Sequence, residues 1–90
     1  MEPAKDHSSI NAVWADALFA SPLQRGDHPS AGQVQQAVAA AVGVFGLCGC
    51  VERVAQEFGD HPETAVTRMR WARELAAEAI SARELEAVCA

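Results

Sequence analysis

The sequence predicts an all-α fold, a small bundle of four to five helices. In four separate stretches, apolar residues recur at intervals of three and four positions, which is the spacing of one face of an α-helix. No stretch alternates apolar and polar residues as a half-buried strand does. Ninety residues suit one domain, so we expect a disordered tail at 1–8 and a single helical domain at 9–90.

The first two helices are predicted on either side of a loop at 21–29. The first helix, 9–20, ends there because the residue before Pro22 is pushed out of the α region of backbone conformation. Its predicted apolar face consists of Ile10, Val13, Trp14, Ala17 and Leu18. The second begins at Ser30, whose hydroxyl can accept a hydrogen bond from the backbone of Gln33 while the Gln33 side chain reaches back. Its buried face is predicted to be the most regular in the chain: Val34, Ala37, Val38, Ala41, Val42 and Phe45.

Two further helices are predicted in the second half of the chain. The third, 50–58, follows a break marked by Gly46 and Gly49. Its predicted apolar face consists of Val51, Val54, Ala55 and Phe58. The fourth, 62–80, is the longest, and the residues at 81–88 form either a separate helical turn or its continuation. Six residues are expected to form the core face of the fourth helix: Ala65, Met69, Ala72, Ala76, Ala79 and Ile80.

The last two predicted helices form a hairpin at about 50–80, joined by a hinge at 59–62. Gly59 suits the end of a helix, where a residue with positive φ is often needed. Asp60 can then cap the next helix, and Glu63 stands three positions further on, where it completes a capping box. A helix, a tight turn and a second helix therefore form the centre of the predicted fold.

Composition and charge exclude several classes of function. The net charge of −5 argues against a protein that coats nucleic acid or an anionic membrane by charge alone. No stretch is judged long enough to span a bilayer, and the N-terminus has no basic segment followed by an apolar run. The sequence therefore predicts a cytoplasmic protein that does not act at a membrane. No nucleophile with a base and an oxyanion site can be identified, so we expect neither an enzyme nor a small-molecule substrate.

The cysteines and histidines do not predict a metal or cofactor site. Cys48 and Cys50 are separated by one residue, whereas paired zinc ligands need two or more residues between them. His28, His61 and Cys89 complete the set of ligand types but not the spacing. We expect free thiols that are mostly buried, no metal and no cofactor.

A second apolar line on the fourth helix predicts a protein-binding surface. Trp71 and Leu75 lie beside the core face, with Arg68 alongside them. Tryptophan and arginine are enriched at the energetic centres of protein interfaces. The leading hypothesis is a non-enzymatic regulatory protein that binds a protein partner or a second copy of itself. A homo-oligomer such as a dimer would also help a chain this small to bury apolar surface.

DNA binding through helix 62–80 is the alternative hypothesis. In a helix-turn-helix protein the second helix enters the major groove and offers polar and arginine side chains to bases and phosphates. Arg68 is the candidate base contact, because a guanidinium can donate two hydrogen bonds to guanine. The other candidate DNA-binding residues are Thr64, Thr67, Arg70 and Arg73.

Several residues of the hairpin match a known DNA-binding pattern. They are Val54, Ala55, Gly59, Thr64, Arg68 and Ala72, with Pro29-Ser30-Ala31 and Phe45-Gly46 at the two ends of the preceding helix. Through these residues, the segment 29–76 resembles the helix-turn-helix of region 4 of bacterial sigma factors and of related response-regulator output domains. It departs from that family at Ala65, at Val66 and in the His61-Pro62 turn. The resemblance implies promoter-type DNA binding through the last helix.

Overall fold

A computed structural model shows three α-helices that pack against one another. Their bounds are Ala4–Ala20 for α1, Ala31–Asp60 for α2 and Pro62–Cys89 for α3, with a single 3-10 turn at Arg25–Asp27. The structure describes the backbone of residues 4–89 and the side chains of residues 10–84. That part of the chain contains helices, turns and no strand, so the prediction of an all-α fold is confirmed.

The chain has three α-helices where four to five were predicted. The predicted break at Gly46 is present, but as a kink at which two helical segments of α2 meet with no loop between them, and the predicted third helix, 50–58, lies in the second of these segments. The segment 81–88 continues α3, which is one of the two alternatives predicted for it. Gly46 alone leaves helical geometry, with φ 75° and ψ 167°. Glycine adopts a positive φ without the steric cost that a side chain would add. One residue of this kind bends a helix without opening a loop.

The bend at Gly46 is sharp. The Cys50 thiol lies 3.8 Å from the carbonyl oxygen of Ala41, nine residues earlier. In a straight helix nine residues advance by about 13.5 Å along the axis. The guanidinium of Arg53 also lies over the ring of Phe45, 4.4 Å from its centroid. The two halves of α2 therefore approach each other on the inside of the bend.

A single residue, His61, joins α2 to α3. Its N–H donates to the carbonyl of Glu57 at 2.7 Å, and its own carbonyl accepts from Ala65 at 2.8 Å. The predicted hinge at 59–62 was therefore too long. α2 runs on to Asp60, which does not cap α3 as expected. Helix-turn-helix motifs that bind DNA usually have a turn of three to four residues.

The first helix begins earlier than predicted, at Ala4. The stretch 1–8, for which the sequence predicts a disordered tail, therefore overlaps α1 from residue 4 onward, while residues 1–3 lie outside the described part of the chain. At the other end, the Ser21 side chain donates to the carbonyl of Leu18 at 2.7 Å and helps to end the helix. The division into a tail and one domain at 9–90 stays a prediction.

The core is formed by small side chains from all three helices. The predicted faces of α2 and α3 are largely confirmed, since eight of their residues are buried: Val34, Val38, Ala41, Ala65, Met69, Ala72, Ala76 and Ala79. The α1 residues between them are Ala15, Ala17, Leu18 and Phe19. Ile10 and Val13 were expected on this face but are exposed, because the buried face of α1 centres on Leu18. The alanines let the helix axes approach closely.

Candidate interaction surfaces

Arg68 extends from α3 to the C-terminal end of α1. Its Nε donates to the carbonyl of Phe19 at 3.0 Å. Its Nη2 donates to the carbonyls of Ser21 at 2.8 Å and Leu23 at 3.0 Å, with a longer contact to Leu18 at 3.4 Å. The last carbonyls of a helix have no partner within that helix. Arg68 therefore caps α1 from another helix and ties the following loop to α3.

Two aromatic rings enclose the Arg68 guanidinium. Its Cζ lies 4.9 Å from the centroid of the Trp71 ring and 5.6 Å from that of Phe19. Burial lowers the pKa of the Arg68 guanidinium, and the negative charge of Glu57 opposes this change. Both the partner-binding and the DNA-binding hypotheses name Arg68 as a contact residue. In the structure its Nε and Nη2 donors are used inside the chain, so a contact that donates two hydrogen bonds to guanine requires Arg68 to leave α1.

Trp71 and Leu75, the other predicted partner-binding residues, lie together on one side of α3. Both are half-buried and pack against the core. They line an open groove of about 330 Å³, and His28 and Pro29 lie on its opposite wall. His28 is the one non-glycine residue with positive φ in the described part of the chain, at 49°. The second apolar line predicted on α3 therefore borders a groove that the loop after α1 lines as well.

The four other candidate DNA-binding residues, Thr64, Thr67, Arg70 and Arg73, are exposed on α3. They do not share one face of the helix. Thr64 and Arg73 are nine positions apart, so their side chains lie on opposite sides of α3, about 180° from each other. The Thr67 hydroxyl donates to the carbonyl of Glu63 at 3.3 Å, within its own helix. Arg70 and Arg73 border a cavity of about 380 Å³ that also contacts Val66.

Arg73 also acts on α1 through its charge. Burial raises the pKa of the Asp16 carboxyl, and the positive charge of Arg73 opposes that rise. The Cys50 thiol is buried nearby, and burial raises its pKa, with a further contribution from Asp16. A raised pKa keeps the thiol protonated and unreactive at neutral pH. Cys50 is therefore suited to packing in the core.

The other described cysteine, Cys48, is exposed, and both it and Cys50 are free thiols. The expectation of mostly buried thiols therefore applies to Cys50 and fails for Cys48. Among the described residues, no group of three or more histidine, cysteine and acidic side chains could hold a metal ion.

Three exposed apolar side chains of α2 were not predicted from the sequence. They lie on the two sides of the bend at Gly46 and are Val44, Leu47 and Val51, which are 74%, 55% and 53% exposed. We call them the α2 apolar surface. Val51 was expected on a buried face, but the bend at Gly46 changes the direction of the second half of α2. The sequence does contain a signal for this surface, since residues 31–51 include no charged side chain.

The expectation that no stretch is long enough to span a bilayer was wrong for α2. By length and composition alone, this helix is long and apolar enough to cross a membrane, and 22% of its most apolar 18-residue window is buried. Core helices of soluble proteins meet the same criterion. The bend at Gly46 divides the 30-residue helix into two shorter straight segments, whereas a span needs about 20 consecutive residues.

Comparison of the chain with protein-family models, with curated proteins and with solved structures gives no match. The resemblance of residues 29–76 to sigma-factor region 4 therefore stays a prediction. The interpretation of these surfaces depends on their own geometry, charge and exposure.

Proposed function

We propose that the protein is a non-enzymatic binding protein of the cytoplasm that acts through protein–protein contacts and associates with a second copy of itself. The observation that supports this proposal is the α2 apolar surface. Its three side chains lie in the longest uncharged stretch of the chain and are more than half exposed. Exposed apolar patches on small proteins commonly mark interaction sites.

The energy available at this surface favours a weak dimer. Full burial of a valine or leucine side chain contributes about 1.5–3 kcal/mol, so covering the exposed parts of three such side chains contributes roughly 4 kcal/mol per copy. Association costs about 4–15 kcal/mol in lost freedom of motion. Small neighbours at Ala40 and Gly43, which are also exposed, allow the backbones of two copies to approach. With the smallest of these association costs, about 4 kcal/mol remains for two copies, so we expect a dimer with a dissociation constant of about 1 mM.

Sedimentation equilibrium tests this proposal. We expect the wild-type mass to rise from that of a monomer towards that of a dimer between about 10 µM and 1 mM, in line with the weak affinity. Leu47→Glu should remain a monomer throughout, because dimerisation would bury an unpaired carboxylate. Val66→Glu is the matched control, since Val66 is 44% exposed on α3 and outside this surface. A wild-type protein that stays monomeric, or a Leu47→Glu variant that dimerises equally well, would contradict the proposal.

DNA binding through α3 is the second candidate function. The exposure of Thr64, Thr67, Arg70 and Arg73 supports it. Protein binding is favoured over DNA binding, because Arg68 is hydrogen-bonded to the end of α1 and the net charge of the chain is −5. Fluorescence anisotropy at two salt concentrations measures the DNA affinity. We expect no affinity of the kind that falls steeply as the salt concentration rises. A steep fall that disappears in the Arg70→Glu/Arg73→Glu double variant would instead support DNA binding.

A further inference from the structure

A groove extends along α3 from Trp71 to Ala82. Two adjoining cavities form it, one of about 330 Å³ at the Trp71 end and one of about 210 Å³ at the Ala82 end. The cavities are neighbours along α3, because Pro29, Leu75 and Glu78 line both of them. Eleven residues of a helix advance by about 16 Å, which is close to three helical turns. The length of the groove therefore suits a helical segment of about three turns.

The floor of this groove is apolar. Trp71 and Leu75 lie one turn apart on α3, and Ala79 continues the same line one turn further on. A helix that docks in a groove places apolar anchors three, four and seven positions apart, which matches this repeat. Trp71 is half-buried against the core, so it provides a large contact area whose orientation is already fixed.

The α3 side of the groove is acidic. Glu74 and Glu78 lie one turn apart, are exposed and border the cavity at the Trp71 end, and Glu78 also borders the second cavity. Among the described residues, neither glutamate forms an ion pair within 4.0 Å. Arg25 stands on the opposite wall at the Trp71 end only. Glu74 and Glu78 therefore place negative charge along the α3 side of the groove, and at the Trp71 end Arg25 lines the same cavity and the Arg68 guanidinium lies over the Trp71 ring.

We propose that this groove binds an amphipathic helix of a partner protein, with apolar anchors over Trp71 and Leu75 and lysine or arginine beside Glu74 and Glu78. The proposal rests on the protein being a protein-binding module but does not depend on self-association, because the α2 apolar surface is a separate set of residues. Charge complementarity along the groove selects a basic helix and disfavours an acidic one.

Fluorescence titration with a model peptide tests the proposal. The probe is a helical leucine–lysine peptide of about four turns, and its control is the same pattern with glutamate in place of lysine. The protein carries Trp14→Phe, so that Trp71 is its one tryptophan, and Leu47→Glu, so that dimerisation does not interfere. We expect the lysine peptide to shift the Trp71 emission to shorter wavelength with saturation, and the glutamate peptide to leave it unchanged.

Charge-reversal variants locate the peptide. Glu74→Lys/Glu78→Lys should weaken binding of the lysine peptide at least tenfold. Glu52→Lys/Glu63→Lys makes the same change in net charge at exposed positions outside the groove and should weaken it less than threefold. Equal loss in both double variants, absence of saturable binding, or equal binding of both peptides would overturn the proposal. Because Leu47→Glu is present throughout, these outcomes are separate from a failure of self-association.

Discussion

Replacing Arg68 with alanine is expected to lower the free energy of unfolding by about 3–4 kcal/mol. A hydrogen bond to a charged group contributes roughly 1.5–3 kcal/mol, but three of the four bonds here share Nη2 as their donor, so their contributions do not add in full. The substitution removes four contacts between the guanidinium and the carbonyls at the end of α1. It also removes the cation that lies between the rings of Phe19 and Trp71. Urea denaturation followed by circular dichroism measures the loss.

Two further variants separate the role of geometry from that of charge. Arg68→Lys keeps the charge but cannot replace both Nε and Nη2, so we expect an intermediate loss. Arg70→Ala removes an exposed arginine two positions away and should change stability by less than about 0.5 kcal/mol. If Arg68→Ala costs less than about 1 kcal/mol, the contacts with α1 do not stabilise the fold, and Arg68 is again available to a partner.

Leu18→Ala is expected to cost about 3–4 kcal/mol, within the range for large-to-small changes in a core. Leu18 is fully buried, and among the described residues of α3 four of the five buried ones are alanines, whose short side chains cannot extend to fill a cavity in the core. A domain of this size has roughly 5–13 kcal/mol of stability, so the variant will lose a large share of it.

Val13→Ala is the control for this second prediction. Val13 lies on the same helix but is 38% exposed, so its truncation should have a much smaller effect. The midpoints of urea denaturation compare the two variants directly. Similar losses for Leu18→Ala and Val13→Ala would show that α1 is rotated from the orientation described above.

The sequence predicted the helical faces well where the pattern was regular. The spacing of Val34, Val38 and Ala41 placed one face of α2 correctly, and the spacing of Ala65, Met69 and Ala72 did the same for α3. Periodicity is informative there because each of these helices is straight over the stretch concerned. It failed beyond Gly46, since the bend changes which side of the chain faces the core and leaves Val51 exposed.

The interaction surfaces were less predictable, because they depend on contacts between distant residues. Arg68 was placed on an outer face by its position on α3, yet its hydrogen bonds reach residues 45 to 50 positions earlier. Periodicity contains no information about such a contact. Trp71 and Leu75 were predicted to lie beside the core face, and they are half-buried against the core, but the groove beside them depends on the path of the loop through Pro29.

Crosslinking at Cys48 tests most directly whether the α2 apolar surface binds a second copy. Cys48 is exposed, follows Leu47 and precedes Val51 by one helical turn. In a twofold symmetric dimer the same patch meets itself, so the two Cys48 thiols will lie close together. In a Cys50→Ala/Cys89→Ser background, we expect a short bismaleimide to give a covalent dimer, and Leu47→Glu to abolish it. The control variant carries Cys48→Ser and Val66→Cys, so that its thiol lies on α3, and we expect it to remain a monomer after crosslinking. Equal crosslinking at the two positions would contradict self-association through the α2 apolar surface.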